Sequence, residues 1–214
     1  MRAVVSALGF LARAAHTDAA EPVLAKSRDE LGYEMNASWL WAHLPEAYSR
    51  LFELLDLTVQ RAGLSFRERG ILVTACAGAL HDSYCSLAWG RRLAAVADPA
   101  LAAAVVAGDD GVLDARERAL ASWARAVAGR PNSTVPEDVA PLRAAGFDDG
   151  QIFAITVFVA GRIAYATVNE ALGALPDARL VDDTPAAVVD AVRWGRPPAP
   201  RPDAPIPGRP GPCC

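Results

Sequence analysis

The stretch from Leu64 to Trp89, LSFRERGILVTACAGALHDSYCSLAW, decides the fold of this chain. Within it, Ser65-Phe66-Arg67-Glu68 is a capping box, with a serine hydroxyl and a glutamate placed to satisfy reciprocal backbone donors at a helix start. The spacing of Ile71, Leu72 and Ala75 carries that helix to about Leu80, and a further one starts near Asp82 and continues past Leu93. Upstream, Pro22 opens an apolar-periodic segment that closes near Gly32, and Asn36 to Pro45 reads as a Trp-rich connection. Pro45 then holds a first helical position ahead of Leu51, Leu54, Leu55 and Val59, and Gly63 ends that helix. Downstream, Leu113-Asp114-Ala115-Arg116-Glu117-Arg118 repeats Leu64-Ser65-Phe66-Arg67-Glu68-Arg69 at an offset of 49, again with a cap and its glutamate. Thr134-Val135-Pro136-Glu137 gives a third box, and Asp148 or Asp149 caps a long final helix that closes at Gly173. The β-branched run Ile152 to Val159 is the one place where a strand is credible. However, 23 residues from Gln151 without proline, and no partner strands elsewhere, favour a buried helix. The fold class is all-α.

Composition agrees and narrows the function classes. With 214 residues, 52% of them hydrophobic and 21% charged, the chain holds ample material for one core and is not disordered in bulk. A balance of 21 basic against 25 acidic residues, with no basic cluster, argues against nucleic acid as a partner. No charge-free run exceeds twelve residues, against roughly 20 for a bilayer span, so no membrane is expected. Four cysteines are too few for a disulfide scaffold, and the expected compartment is cytoplasmic. Residues 1–21 read as an N-terminal helix or arm. Ala3 to Ala12 after Arg2 loosely resembles a signal peptide, but reads equally well as an amphipathic first helix. Residues 22–194 form the helical domain. Half of the 16 prolines fall in the last nineteen residues, so 195–214 is expected to be a flexible, polyproline-like tail ending Cys213-Cys214.

The Leu64 to Trp89 stretch resembles the alkylhydroperoxidase D / carboxymuconolactone decarboxylase superfamily of helical proteins. There a capped helix beginning Leu-Ser-x-Arg-x-Arg-Glu is followed by Cys-Glu-Tyr-Cys and then His. Leu31-Gly32-Tyr33-Glu34-Met35-Asn36 with Pro45, Leu142-Arg143-Ala144-Ala145-Gly146-Phe147, and Arg162 to Gly173 are similar to the family's entry, late connection and closing helix. The resemblance covers roughly Pro22 to Pro176. It implies a helical bundle, a homo-oligomer that is commonly trimer-based, and, in peroxidase members, a dithiol served by Glu and His. Aligned without gaps, the second cysteine is Cys85 and the tyrosine before it Tyr84. The first cysteine position is Asp82, the histidine position Trp89 and the glutamate position Gly70. Three of the four functional positions thus differ, and the two-cysteine cycle cannot run as the family implies. The decarboxylase branch lacks its histidine here.

The residues themselves offer a partial replacement. Cys85 lies in the first turn of its helix, where unsatisfied amides favour an anion. His81 and Asp82 precede it by four and three residues, so all three share a face if helical geometry holds through the turn. His81 would then relay the proton and Asp82 orient the imidazole, while as an anion raising the thiol pKa. The alternative is a plain helix-to-helix turn, with Asp82 or Ser83 as N-cap and Cys85 a buried small hydrophobe. Glu68 does not replace the missing glutamate at Gly70, because two residues along a helix swing a side chain by roughly 200°. Cys76 reads as packing, Trp39 and Trp41 near His43 as core or pocket lining, and Arg162 as paired or facing a cavity. Cys213 and Cys214 are either resolving thiols on a tether or incidental cysteines of an unstructured terminus.

The leading expectation is a thiol-dependent, peroxiredoxin-type reduction of a peroxide, with Cys85 as nucleophile, no cofactor and no metal. The substrate is a peroxide or small apolar molecule, and a thiol of unknown identity is the reductant. The alternatives are a silent member serving as an oligomeric binding module, and an enzyme of altered chemistry on an apolar small molecule with Asp82 as base.

Overall fold

The computed structural model describes residues 9–201 and, among them, contains eleven α-helices and no β-strand. In chain order these are α1 Glu21–Leu31, α2 Asn36–Trp41, α3 Pro45–Ala62, α4 Phe66–Ala79, α5 Ser83–Val96 and α6 Pro99–Ala107. Then follow α7 Ala115–Gly129, α8 Pro136–Ala144, α9 Asp149–Ala171, α10 Ala178–Asp182 and α11 Ala186–Ala191. The all-α expectation holds, and α9 takes the place of the credible strand. Residues 9–20 form an arm without a helix, and residues 1–8 lie outside the described part.

The starts and stops follow local hydrogen-bond chemistry. Ser65 and Glu68 complete their box at α4, Asp114 and Glu117 at α7, and Asp148 and Gln151 at α9. Gly63 ends α3 with φ +65°, a left-handed conformation open to glycine. The third box is displaced by one residue from the expected position. Val135 is the N-cap of α8, its N–H donates to Asp138 at 2.9 Å, and Thr134 instead donates to the Pro131 carbonyl at 3.1 Å. Pro136 at N1 sets that register. The Trp-rich connection contains a short helix, α2, docked by Trp41 Nε1 donating to Asn169 Oδ1 at 2.9 Å.

The 49-residue repeat acquires a structural meaning. Helices α4 and α7 pack on each other and exchange ion pairs at their first turns: Arg67 Nε reaches Glu117 at 2.5 Å, and Arg116 Nε reaches Glu68 at 2.6 Å. Each box glutamate therefore caps its own helix and clamps the other. The main core lies between α3, α4, α5, α7 and α9, with Leu55, Ile71, Leu72, Leu93, Leu120, Ile155 and Phe158 fully buried. By length and composition α9 could cross a membrane, but Ile152, Ile155, Phe158 and Val159 are buried in this core and Arg162 interrupts it.

The expected tail does not leave the body at residue 195. Gly195 passes so close to Ser83 that a Cβ there would sit 2.7 Å from the serine hydroxyl. Ser83 Oγ donates to the Arg196 carbonyl at 2.8 Å, and Ala199 N–H donates to Pro176 at 2.8 Å. Residues 195–201 thus strap the start of α5. Cys213 and Cys214 lie outside the described residues.

Candidate functional site

Asp82 is the N-cap of α5, and its Oδ1 accepts the Cys85 N–H at 2.9 Å. That geometry fixes the fate of the three-residue face expected from sequence. Helix α4 ends at Ala79, and His81 takes φ +55°, a left-handed turn that breaks the helical register. His81 is exposed, with its imidazole 5.5 Å from the Trp194 ring between centroids. The structure therefore brings Asp82 and Cys85 together and leaves His81 outside.

Cys85 is 4% exposed and is one of the residues lining a cavity of about 90 Å³. Arg162 Nη2 donates to Sγ at 3.6 Å. Burial pushes the thiol well above its ordinary pKa, and the neighbouring Asp82 carboxylate adds to the rise. The Arg162 guanidinium opposes this and is outweighed. The resting thiol is protonated, with a carboxylate and a cation as its neighbours.

Glu170 is a second carboxyl near Asp82. Asp82 Oδ2 and Glu170 Oε1 are both buried without a donor, and the Asp82 carboxylate raises the pKa of Glu170. Burial raises Glu170 to about 7, with Asp82 reinforcing the shift and Arg196 on the strap opposing it. Arg196 Nη2 donates to the Glu170 carbonyl at 3.0 Å, and its Nε lies 3.6 Å from Oε2. An acid with a raised folded-state pKa contributes stability that is fully present below about 4.5 and lost as pH rises through about 7. With solvent reaching Glu170, the loss between pH 5 and pH 8 is about 1 kcal/mol. Urea unfolding at the two pH values checks it, and Glu170→Gln should remove this part of the dependence.

The remaining wall explains the departures from the family pattern. Trp89, at the histidine position, lines the same cavity, and its ring is flanked by the Arg69, Arg92 and Arg162 guanidiniums at 5.3, 5.0 and 5.5 Å. Gly70, at the glutamate position, is a close contact of α4 with α5: a Cβ would meet the Leu93 side chain at 3.3 Å, so a longer side chain there would have to displace Leu93. Tyr84 also lines the cavity, and its hydroxyl donates to Asp177 and accepts Ala37 N–H at 3.2 Å. It anchors the cysteine's helix to α2. Trp39 and Trp41 do not line the cavity; Trp41 stacks behind Tyr165 at 5.2 Å. His43 is exposed and hydrogen-bonds the Ala12 carbonyl at 2.9 Å. Cys76 is buried mid-helix, its thiol pushed up to about 12 by burial. Lys26, Tyr48, Arg69 and Arg92 escaped sequence reasoning, as did the pairing of Glu170 with Asp82.

Two solved structures match across most of this arrangement. An uncharacterized peroxidase-related protein from Ralstonia eutropha JMP134, described as an alkylhydroperoxidase AhpD core, superposes with a TM-score of 0.71 at 22% identity. The match covers 81% of this chain and 94% of that one. The fold is that of the AhpD core. An uncharacterized peroxidase-related protein from Silicibacter sp. TM1040 has it too, with a TM-score of 0.72 at 21% identity over 84% of this chain and 97% of that one. No family model matches the sequence, and no curated protein does. Among the described residues, no group of three or more His, Cys, Asp or Glu is placed to hold a metal ion. The AhpD-like scaffold here therefore carries one cavity thiol, a carboxyl pair behind it and a guanidinium beside it.

Proposed function

We propose that the chain is a single-thiol peroxidase in which Cys85 is the nucleophile, Asp82 its base and Arg162 the stabiliser of developing negative charge. The observation that carries this reading is the buried thiol at the cavity, one helical turn from the Asp82 carboxylate that caps its helix and receiving Arg162 at 3.6 Å. The sulfur attacks the outer peroxide oxygen and the O–O bond breaks, leaving a sulfenic acid and an alkoxide. Asp82 takes the thiol proton and gives it to the alkoxide, which leaves as the alcohol. An external dithiol, or two thiols, then reduces the sulfenic acid to the thiol with loss of water and formation of a disulfide. Asp82 keeps the thiol neutral at rest and supplies the base during attack, so its two effects act at different stages. The peroxidase-related character of the two structural matches supports the same chemistry.

Reaction of the reduced protein with one equivalent of hydrogen peroxide or an alkyl hydroperoxide tests this by stopped flow, with mass spectrometry locating the oxidised sulfur. Rapid consumption and sulfenic acid at Cys85, both lost in Cys85→Ser, are expected. A rate no faster than free cysteine, with all four thiols alike, favours the second reading, a silent binding module. Its specific support is the raised pKa of Cys85. The same digest detects any disulfide from Cys85 to Cys213 or Cys214, the outcome required if the tail resolves the sulfenic acid. We further propose a cytoplasmic homo-oligomer, trimer-based, supported by exposed Leu54, Leu57 and Phe153 on the outer sides of α3 and α9. Light scattering on the purified protein decides the oligomeric state.

A further inference from the structure

Arg162 presents an electrostatic problem that the reaction does not solve. It is 4% exposed, its Nε is buried with no acceptor, and no carboxylate lies within 4.0 Å of its guanidinium among the described residues. Removing a charge from water costs several kcal/mol unless something compensates it. Its contacts with the Trp89 and Tyr165 rings, 5.5 and 5.0 Å away, offset part of that cost. The Cys85 thiol, neutral at rest, offsets little.

The cavity as a whole repeats the imbalance. Four cations line it, Lys26, Arg69, Arg92 and Arg162, against one carboxylate, Glu30, in a chain of net charge −4. Glu30 is taken by Arg92, and Asp56 reaches Arg69 only at 3.6 Å, leaving Arg69 Nε buried and unpaired. Lys26 stands over the Phe52 ring at 4.5 Å with no carboxylate within 4.0 Å among the described residues. Tyr48, Phe52 and Tyr165, packed on one another and in contact with Lys26 and Arg162, supply an aromatic wall. A concave site with convergent cations and an apolar wall selects a compact anion with a hydrocarbon body. Guanidinium geometry favours a planar carboxylate over a spherical ion.

We propose that this cavity binds a small organic carboxylate, its headgroup on Arg162 and the neighbouring Arg69 and Lys26, and its apolar body against Tyr48 and Phe52. The substrate class of Cys85 is then a peroxide that carries a carboxylate. That assignment of substrate class rests on Cys85 acting as the nucleophile, whereas the binding itself is measured without it.

The probe is butyrate, with butyramide as its uncharged counterpart, titrated by calorimetry into the Cys85→Ser protein in the absence of peroxide. Saturable butyrate binding is expected, with butyramide at least tenfold weaker. Arg162→Met should weaken butyrate at least tenfold. If that variant does not fold, Lys26→Gln, on the half-buried side of α1, should weaken it severalfold and keeps the test decisive. Equal binding of butyrate and butyramide, binding unchanged in the variants, or no saturable binding of butyrate overturns the proposal. Butyrate binding in a protein that fails to consume peroxide would sink the peroxidase reading and leave the anion site standing. Peroxide turnover without butyrate binding would do the reverse.

Discussion

Asp82→Asn is expected to speed alkylation of native Cys85 by iodoacetamide at pH 8 by roughly tenfold or more, since each unit of thiol pKa is a factor of ten in thiolate. Asparagine keeps the cap, because its carbonyl oxygen can still accept the Cys85 N–H that Asp82 Oδ1 accepts at 2.9 Å. It removes the negative charge and the proton acceptor, both of which push the thiol up alongside burial. Arg162→Met acts in the opposite sense, deleting the one neighbouring group that favours thiolate, and should slow the reaction. Burial hinders the reagent similarly in all three proteins, so the ratios report charge. Following the Cys85 peptide by mass spectrometry, with buried Cys76 as an internal control, separates pKa from unfolding. Equal rates in the three proteins would mean that burial alone sets the thiol and that neither neighbour acts on it. Peroxide reduction should diverge from alkylation: Asp82→Asn loses the base, so its peroxidase rate falls even as its thiol becomes easier to alkylate. That divergence is the signature of a general base rather than of a bystander anion.

The helix starts were legible because capping is local chemistry, set within four residues of one another. Ser65, Asp114 and Asp148 each needed only their own N3 partner. The box at Thr134 failed because Pro136, fixed at N1, moved the cap to a valine whose backbone alone is served by Asp138. Helices α10 and α11, five and six residues long, are too short to show a period and were missed. In the site, Cys85 and Asp82 were legible from spacing along one turn. His81 was misplaced because the same spacing argument assumed a helix that the left-handed turn at His81 interrupts. Arg162 could be flagged as a charge inside an apolar run, and of its two expected outcomes the structure gives the cavity. Lys26, Tyr48, Arg69 and Arg92 come from α1, α3, α4 and α5, and nothing in the chain order announces that these helices converge. Glu170 lies eight residues beyond Arg162 on the same helix. It does not pair with Arg162. Its raised pKa comes in part from Asp82, the cap of another helix, a tertiary fact without a sequence signature.

The repeat, by contrast, was visible in sequence while its purpose was not, and the purpose predicts a large loss of stability. Glu117→Ala should destabilise the fold by about 2–3 kcal/mol, because it strips one half of a capping box and one partner of a largely buried ion pair at once. Glu117 is held by Arg67 at 2.5 Å and by Asp114 N–H at 3.2 Å, and its side chain is 10% exposed. Arg67, more open to solvent, recovers part of its hydration, which keeps the loss below that of a fully buried pair. Glu68→Ala should cost a similar amount by the reciprocal contacts with Arg116 and Ser65. Burial alone would raise the Glu68 carboxyl, but Arg116 and Ser65 outweigh it and hold it below its ordinary value. Its contribution is therefore present above about 4.5 and lost as pH falls through its lowered folded value. The double variant discriminates two pictures. If each glutamate acts on its own helix, the losses add within roughly 0.5 kcal/mol. If the exchange is one unit joining α4 to α7, the second substitution costs markedly less than the first, because the helix crossing has already loosened. Urea unfolding of the four proteins at pH 7 measures the difference. Less than additive loss is the expected result, because both pairs span the same two first turns and neither can open without moving the other.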